Sequence, residues 1–145
     1  MGNLLVALQF GLLFILAALA APNVLHGDIP AGALMMAGLS VALIVWALVH
    51  NRPGNFNIHP NPKARGILVT TGPYRWIRHP MYTSVLLGAG ALAWTGSTFT
   101  GWATWSMLAI VLFMKSLLEE QGMRQQHPGY AAYTLGSKRF LPWLF

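Results

Sequence analysis

The apolar positions of this chain fall into four long blocks, separated by short stretches of polar and helix-breaking residues. No Asp, Glu, Lys or Arg occurs from Met1 to Gly27, and residues 3–21 suffice to cross roughly 30 Å of hydrocarbon at about 1.5 Å per residue. Ala21, Pro22 and Asn23 predict the end of this first helix, and His26 to Pro30 a polar turn. A second block, 31–50, stops at Asn51, Arg52, Pro53 and Gly54. Two helices with so short a connection predict an antiparallel hairpin. After a hydrophilic segment, residues 81–114 again carry no formal charge. Pro80 suits the first turn of a helix, where its missing N–H is no loss. The run predicts a helix over 80–95, a turn at 96–101 and a helix over 102–126, which His127, Pro128 and Gly129 end.

The reading is all-α: one integral membrane domain over 1–145, with four transmembrane helices arranged as two antiparallel hairpins. A loop over 51–79 joins the hairpins. A tail over 127–145, mixing Tyr130, Tyr133, Lys138, Arg139 and Trp143, has the composition of an interfacial segment. Within the loop, residues 55–62 hold too much Asn and Pro for a helix, and 66–71 suit an extended interfacial stretch. A cleaved signal peptide fits the N-terminus less well: a positive leader is missing, and the apolar run exceeds the ~7–15 residues of a signal core.

Composition supports this. The chain is 55% hydrophobic and 8% charged, against about 25% charged in soluble domains. The formal charge of +6 invites a nucleic-acid partner, but the cations sit in the gaps beside apolar runs, as topology-determining charge does. Arg52, Lys63, Arg65, Arg75 and Arg78 follow the second helix; Lys115, Arg124, Lys138 and Arg139 lie from the end of the fourth onward; neither short turn has any. With four helices both basic segments fall on one side, the cytoplasmic one, with both termini.

Gly72 to Tyr82 is the densest stretch of polar and aromatic chemistry, and the predicted topology brings it beside Glu119 and Glu120. Lone juxtamembrane arginines anchor headgroups, but anchoring does not call for a histidine between Arg78 and Pro80. An acid pair at a membrane border is costly unless used or paired. Lys115 lies four residues before Glu119 and Arg124 four after Glu120, both spaced for helical pairing. Consecutive helical residues point about 100° apart, so one carboxylate can turn inward; the spacing leaves open which. The chain lacks cysteine, His-x-x-x-His and an Asp partner for the acids, so no metal site is expected. Ser84, Gly88, Ala91 and Thr95 form a small-residue stripe suited to close helix packing, or to a ligand's approach to the backbone.

Gly72-Pro73-Tyr74, Arg78-His79-Pro80-Met81-Tyr82, Glu119-Glu120, Tyr130-x-x-Tyr133 and Arg139-x-x-Pro142 together resemble the isoprenylcysteine carboxyl methyltransferase and phospholipid methyltransferase superfamily, over about 65–142. The resemblance implies a membrane enzyme using S-adenosyl-L-methionine. It implies cofactor binding by Tyr74, Arg78, His79, Pro80, Tyr82, Glu119 and Glu120, with Gly88 and Gly90 matching a Gly-x-Gly of the phospholipid branch. It implies an acceptor-side role for Arg139, and Glu120 and Arg139 as the catalytic pair. Chemically, Arg78 or His79 could bind the cofactor's carboxylate, a glutamate its ammonium, and Tyr74, Tyr82 or Trp76 its adenine or sulfonium. The enzyme then mainly aligns acceptor and methyl group; an amine or thiol must also lose a proton, to Glu120 or His79. The chain is short for this superfamily, so the expected acceptor is a smaller lipid, thiol, carboxylate or other amphiphile rather than a prenylated protein, arriving laterally from the membrane. Two rivals are an NADPH-dependent reductase of the sterol reductase-like type, with phosphates held by the cationic loop, and a non-catalytic accessory protein.

Overall fold

The computed structural model describes residues 2–51 and 67–142. All regular structure among them is helical: α1 (Gly2–His26), α2 (Ala31–His50), α3 (Pro80–Gly96), α4 (Phe99–Gln126) and α5 (Tyr130–Gly136), with a 3₁₀ turn at Gly72–Arg75. α1, α2 and α4 are long and apolar enough to cross a membrane. Of the cationic loop, Arg52, Lys63 and Arg65 lie outside the described residues, as do residues 55–62 and Trp143; Ile67–Thr70 has no regular structure.

Two helix ends differ from expectation. α1 does not stop at Ala21 but runs through Pro22 to His26. A proline disrupts a helix by removing an N–H and crowding the carbonyl four residues earlier, and here that happens only in the last turns. His26 Nδ1 lies 2.7 Å from the Pro22 carbonyl, the Asn23 side-chain amide donates to the Thr95 carbonyl at 2.6 Å, and the helix ends at Gly27, whose φ of 81° suits a residue without Cβ. α4 begins at Phe99, because Thr98 caps it by accepting the Gly101 N–H at 3.0 Å. The turn is therefore only Ser97 and Thr98, shorter than 96–101.

α3 is the central helix. It packs on α1, α2 and α4, and α1 also packs on α4, whereas α1 and α2 share little contact. The small residues of α3 permit this: Ala89, Gly90, Ala91, Ala93 and Gly96 are buried. α1 contributes a stripe, Leu5, Leu12, Leu16 and Ala20, and α4 contributes Leu108, Val111 and Leu112. Phe10, Phe14, Leu34, Met35, Val41 and Ile110 point outward, as apolar side chains do where lipid replaces water as the solvent.

Contacts along the helices fix their sense. A Cβ on Gly32 would meet Trp94, one on Gly90 would meet Met36, and one on Gly88 would meet Ser40, so α2 and α3 run antiparallel. Gly96 faces Leu19 near the end of α1, and Gly101 faces Ala93. The start of α3 and the end of α4 thus share one end of the helix group, which the last described residues also reach.

Candidate active site

Residues 76–79 lead from the 3₁₀ turn into α3 and pair, through a parallel bridge between Ile77 and Lys138, with the stretch after α5. The Arg78 N–H donates to the Lys138 carbonyl at 2.7 Å, the His79 N–H to the Arg139 carbonyl at 3.1 Å, and the Lys138 N–H to the Trp76 carbonyl at 2.8 Å. Thr83 donates its hydroxyl to the Phe140 carbonyl at 2.9 Å. Tyr133 on α5 donates to the Tyr74 carbonyl at 2.6 Å. These bonds tie the two segments together backbone to backbone, and they carry Arg139 to the end of α4.

Glu120 is the hub. Its carboxylate accepts Arg78 Nε at 2.9 Å, Arg139 Nε at 3.0 Å and Arg139 Nη2 at 2.9 Å, so Arg139 grips it with two nitrogens. His79 Nε2 lies 3.2 Å from the same carboxylate. Arg78 Nη1 also donates to the Ser137 carbonyl. Glu119, next in the chain, accepts the Tyr82 hydroxyl and faces His79 Nδ1 at 3.4 Å. The imidazole thus bridges both carboxylates and stacks on the Tyr82 ring at 5.4 Å between centroids. The open question of which acid turns inward has an answer: the Glu120 side chain is 4% exposed and that of Glu119 is 23% exposed.

Electrostatics follow this geometry. Burial disfavours the His79 imidazolium, but hydrogen bonds and charge from Glu119 and Glu120 outweigh it and hold the pKa above the ordinary histidine value. Burial pushes the Tyr74 phenol up to about 12, opposed by a hydrogen bond with Asn51 and assisted by the Glu119 charge. Burial likewise raises Tyr133 to about 12. These phenols are neutral hydrogen-bonding groups at physiological pH.

The structure therefore gathers Arg78, His79, Tyr82, Glu119, Glu120 and Arg139 into one cluster, with Tyr74 within electrostatic reach of Glu119. Pro80 is buried and opens α3. Gly88 and Gly90 are not brought to the cluster. The space a Cβ would take is held by Ser40 at Gly88, and by Met36 and Trp105 at Gly90, which is close helix packing. Lys115 is not a surface partner of Glu119: it is 2% exposed and donates to Gln9 on α1 at 2.6 Å. Ser137, Thr83 and Phe140 also serve the site and had no signal beyond their place near Arg139 or, for Thr83, next to Tyr82. An open cleft of about 310 Å³ runs beside the cluster, lined by Leu117, Glu120, Gln121, Arg124, Gln125 and Arg139. No group of His, Cys, Asp and Glu suited to a metal ion occurs among the described residues.

Ionisable groups among apolar helices are costly unless they are paired or used, and here they gather into one cluster where α3 begins and α4 ends. The chain belongs to the phospholipid methyltransferase family, whose model matches residues 29–129, and is accordingly a membrane methyltransferase. The match contains the cluster as far as Glu120 and ends before Tyr130, Tyr133 and Arg139. No curated protein and no solved structure matches the chain.

Proposed function

We infer that the chain transfers a methyl group from S-adenosyl-L-methionine to a lipid or other hydrophobic or amphiphilic acceptor at the cytoplasmic membrane face. The observation that carries this reading is the Glu120 hub: two guanidiniums and an imidazole converge on one carboxylate beside a second, more open one, in a chain of this family.

The donor set fits the cofactor's amino-acid end, which bears a carboxylate and an ammonium. Arg78 Nη2 and Arg139 Nη1 hold no hydrogen bond among the described residues, so each arginine can take an added carboxylate without leaving Glu120. Glu119 is the better partner for the ammonium, since Glu120 already accepts from three side chains. Tyr74 supplies an aromatic surface for the adenine. When bound, the cofactor supplies a methyl group on a sulfonium that is already a good leaving group. The chain's task is to align the acceptor and to exclude water. Arg139, which lines the cleft, holds the acceptor side, and Glu120, gripped by Arg78, His79 and Arg139, orients these groups rather than taking a proton.

In this reading four helices cross the membrane, successive ones in opposite directions, but only α3 and α4 pack as the expected hairpin, because α2 packs on α3 rather than on α1. α3 at about 25 Å is short for a ~30 Å core, but its contacts on three other helices suit a central span. The basic residues Arg75, Arg78, Arg124, Lys138 and Arg139 share the site end, which supports a cytoplasmic placement of that end and both termini, with the tail interfacial. The acceptor enters from the lipid and the cofactor from the cytoplasm.

Calorimetric titration of the detergent-purified chain with S-adenosylhomocysteine tests this. Binding is expected, and abolished by His79→Ala or Glu120→Ala with folding intact. No heat at millimolar ligand would sink the reading. Retained binding in both variants would favour an accessory role for the cluster. Displacement of the ligand by NADPH would favour the reductase.

A further inference from the structure

Lys115 is the largest fully buried side chain among the described residues. It projects from α4 into the helix group at the site-facing rim of the core. Its Nζ donates to Gln9 Oε1 at 2.6 Å and stands 5.2 Å from the centroid of the Tyr82 ring. Gln9 is itself buried on α1. An ammonium in an apolar interior is strongly disfavoured, and a methionine or leucine would fill the same space at less cost. Packing alone therefore does not explain this residue.

The contacts of the cation suggest its use. A cation over an aromatic face is attracted to the ring, and the Tyr82 hydroxyl donates to Glu119 while its ring stacks on His79. His79 in turn bridges Glu119 and Glu120. One continuous chain of polar contacts thus runs from α1 to the hub: Gln9, Lys115, Tyr82, Glu119, His79, Glu120. The titratable and charged groups facing Glu119 are Tyr82 and His79 from α3 and its entry, Tyr74 from the 3₁₀ turn, and Lys115 and Glu120 from its own helix. Arg78 and Arg139 act on it through Glu120.

We propose that Gln9 and Lys115 are positioning residues of the site: Gln9 holds the Lys115 ammonium against the Tyr82 ring, which fixes Tyr82 on Glu119 and keeps Glu119 turned to His79. α1 is then a working part of the site, although it lies outside the matched residues 29–129. This rests on the methyltransferase reading only for its ligand; the geometry of the chain is independent of it.

The test uses the full chain in detergent micelles, as wild type, Lys115→Met and Gln9→Leu. Three quantities are measured: the melting temperature, the affinity for S-adenosylhomocysteine and the midpoint of the His79 ring titration by NMR. Lys115→Met is expected to melt at or above the wild-type temperature, because a buried charge is gone, and Gln9→Leu below it, because the buried ammonium loses its acceptor. Lys115→Met should bind the ligand at least tenfold more weakly, and Gln9→Leu less so. The His79 midpoint should fall toward the ordinary value as the imidazole loses Glu119. A midpoint that is unchanged overturns the proposal, and so does one that rises, the result of deleting a cation while the contacts stay in place. Weakened binding with no fall in the midpoint also overturns it, as does unfolding of both variants, which would make the pair structural. If the wild type binds no ligand, the methyltransferase reading fails, while the His79 midpoint still decides whether Gln9 and Lys115 hold the chain.

Discussion

Replacing Glu120 by Gln leaves two guanidiniums in a mostly buried site with their shared counter-charge removed. The side chains of Arg78 and Arg139 are 12% and 16% exposed, so solvent screens them weakly. Hydrogen bonds to charged groups contribute about 1.5–3 kcal/mol each, and removing one member of a buried ion pair costs about 3–5 kcal/mol. A glutamine oxygen can keep part of the set, so the low end, about 3 kcal/mol, is the reasonable expectation. The loss falls on the contact that joins Arg139 to α4, and the segment carrying Arg139 is otherwise held by backbone bonds to residues 76–79 and by Thr83. Opening of this paired segment should therefore become easier by roughly 10²-fold, since about 1.4 kcal/mol is a factor of ten. Hydrogen exchange in micelles reads this directly at the amides of Arg78, His79 and Lys138. Exchange within threefold of wild type at all three would refute the argument, because it would mean that water already satisfies the arginines.

Other outcomes follow from the same geometry. Because the folded His79 pKa is raised, its stabilising contribution is full below about pH 6.5 and is lost as pH rises through the folded value; the melting temperature should fall over that window, and His79→Gln should flatten the profile. Thr83→Val keeps the side-chain shape but removes the hydroxyl that Thr83 donates to the Phe140 carbonyl, costing about 1 kcal/mol, seen as a lower melting temperature and faster exchange near Lys138. Gly90→Leu forces a side chain against Met36 and Trp105 and should destabilise by about 1–3 kcal/mol, with ligand affinity preserved in the folded fraction. Lost affinity at an unchanged melting temperature would return Gly90 to the cofactor site.

Much of the site was legible because its residue types are out of place in an apolar chain. Arg78, His79 and Tyr82 beside an uncharged run, and an acid pair near the end of another, announce themselves on composition alone. The glycines are harder to read for the opposite reason: a missing side chain looks the same whether a ligand or a neighbouring helix fills the space, and at Gly88 and Gly90 the neighbours are Ser40, Met36 and Trp105. Lys115 misled through spacing. Four residues before Glu119 is the separation of a surface pair, but Gln9, more than a hundred positions away in the chain, drew the ammonium inward. The short helix α5 was hidden by the mixed composition of the tail, and the continuation of α1 past Pro22 by a rule that weighs little in a last turn.

By itself the sequence determined the class of molecule, the bounds of the four main helices to within a few residues at most ends, three of them long and apolar enough to cross a membrane, and the polar groups that find one another at one end of them. Local patterns can do this, since transfer to lipid is set by each segment's own composition and each helix satisfies its own backbone. Only the tertiary structure decided that α3 is central, that Arg139 closes on Glu120 from beyond α5, that Glu120 rather than Glu119 is the inner carboxylate, and that Lys115 looks to α1. Each of these depends on which partner lies within about 3 Å across helices distant in sequence, and a one-residue rotation of about 100° on α4 exchanges the roles of the two acids.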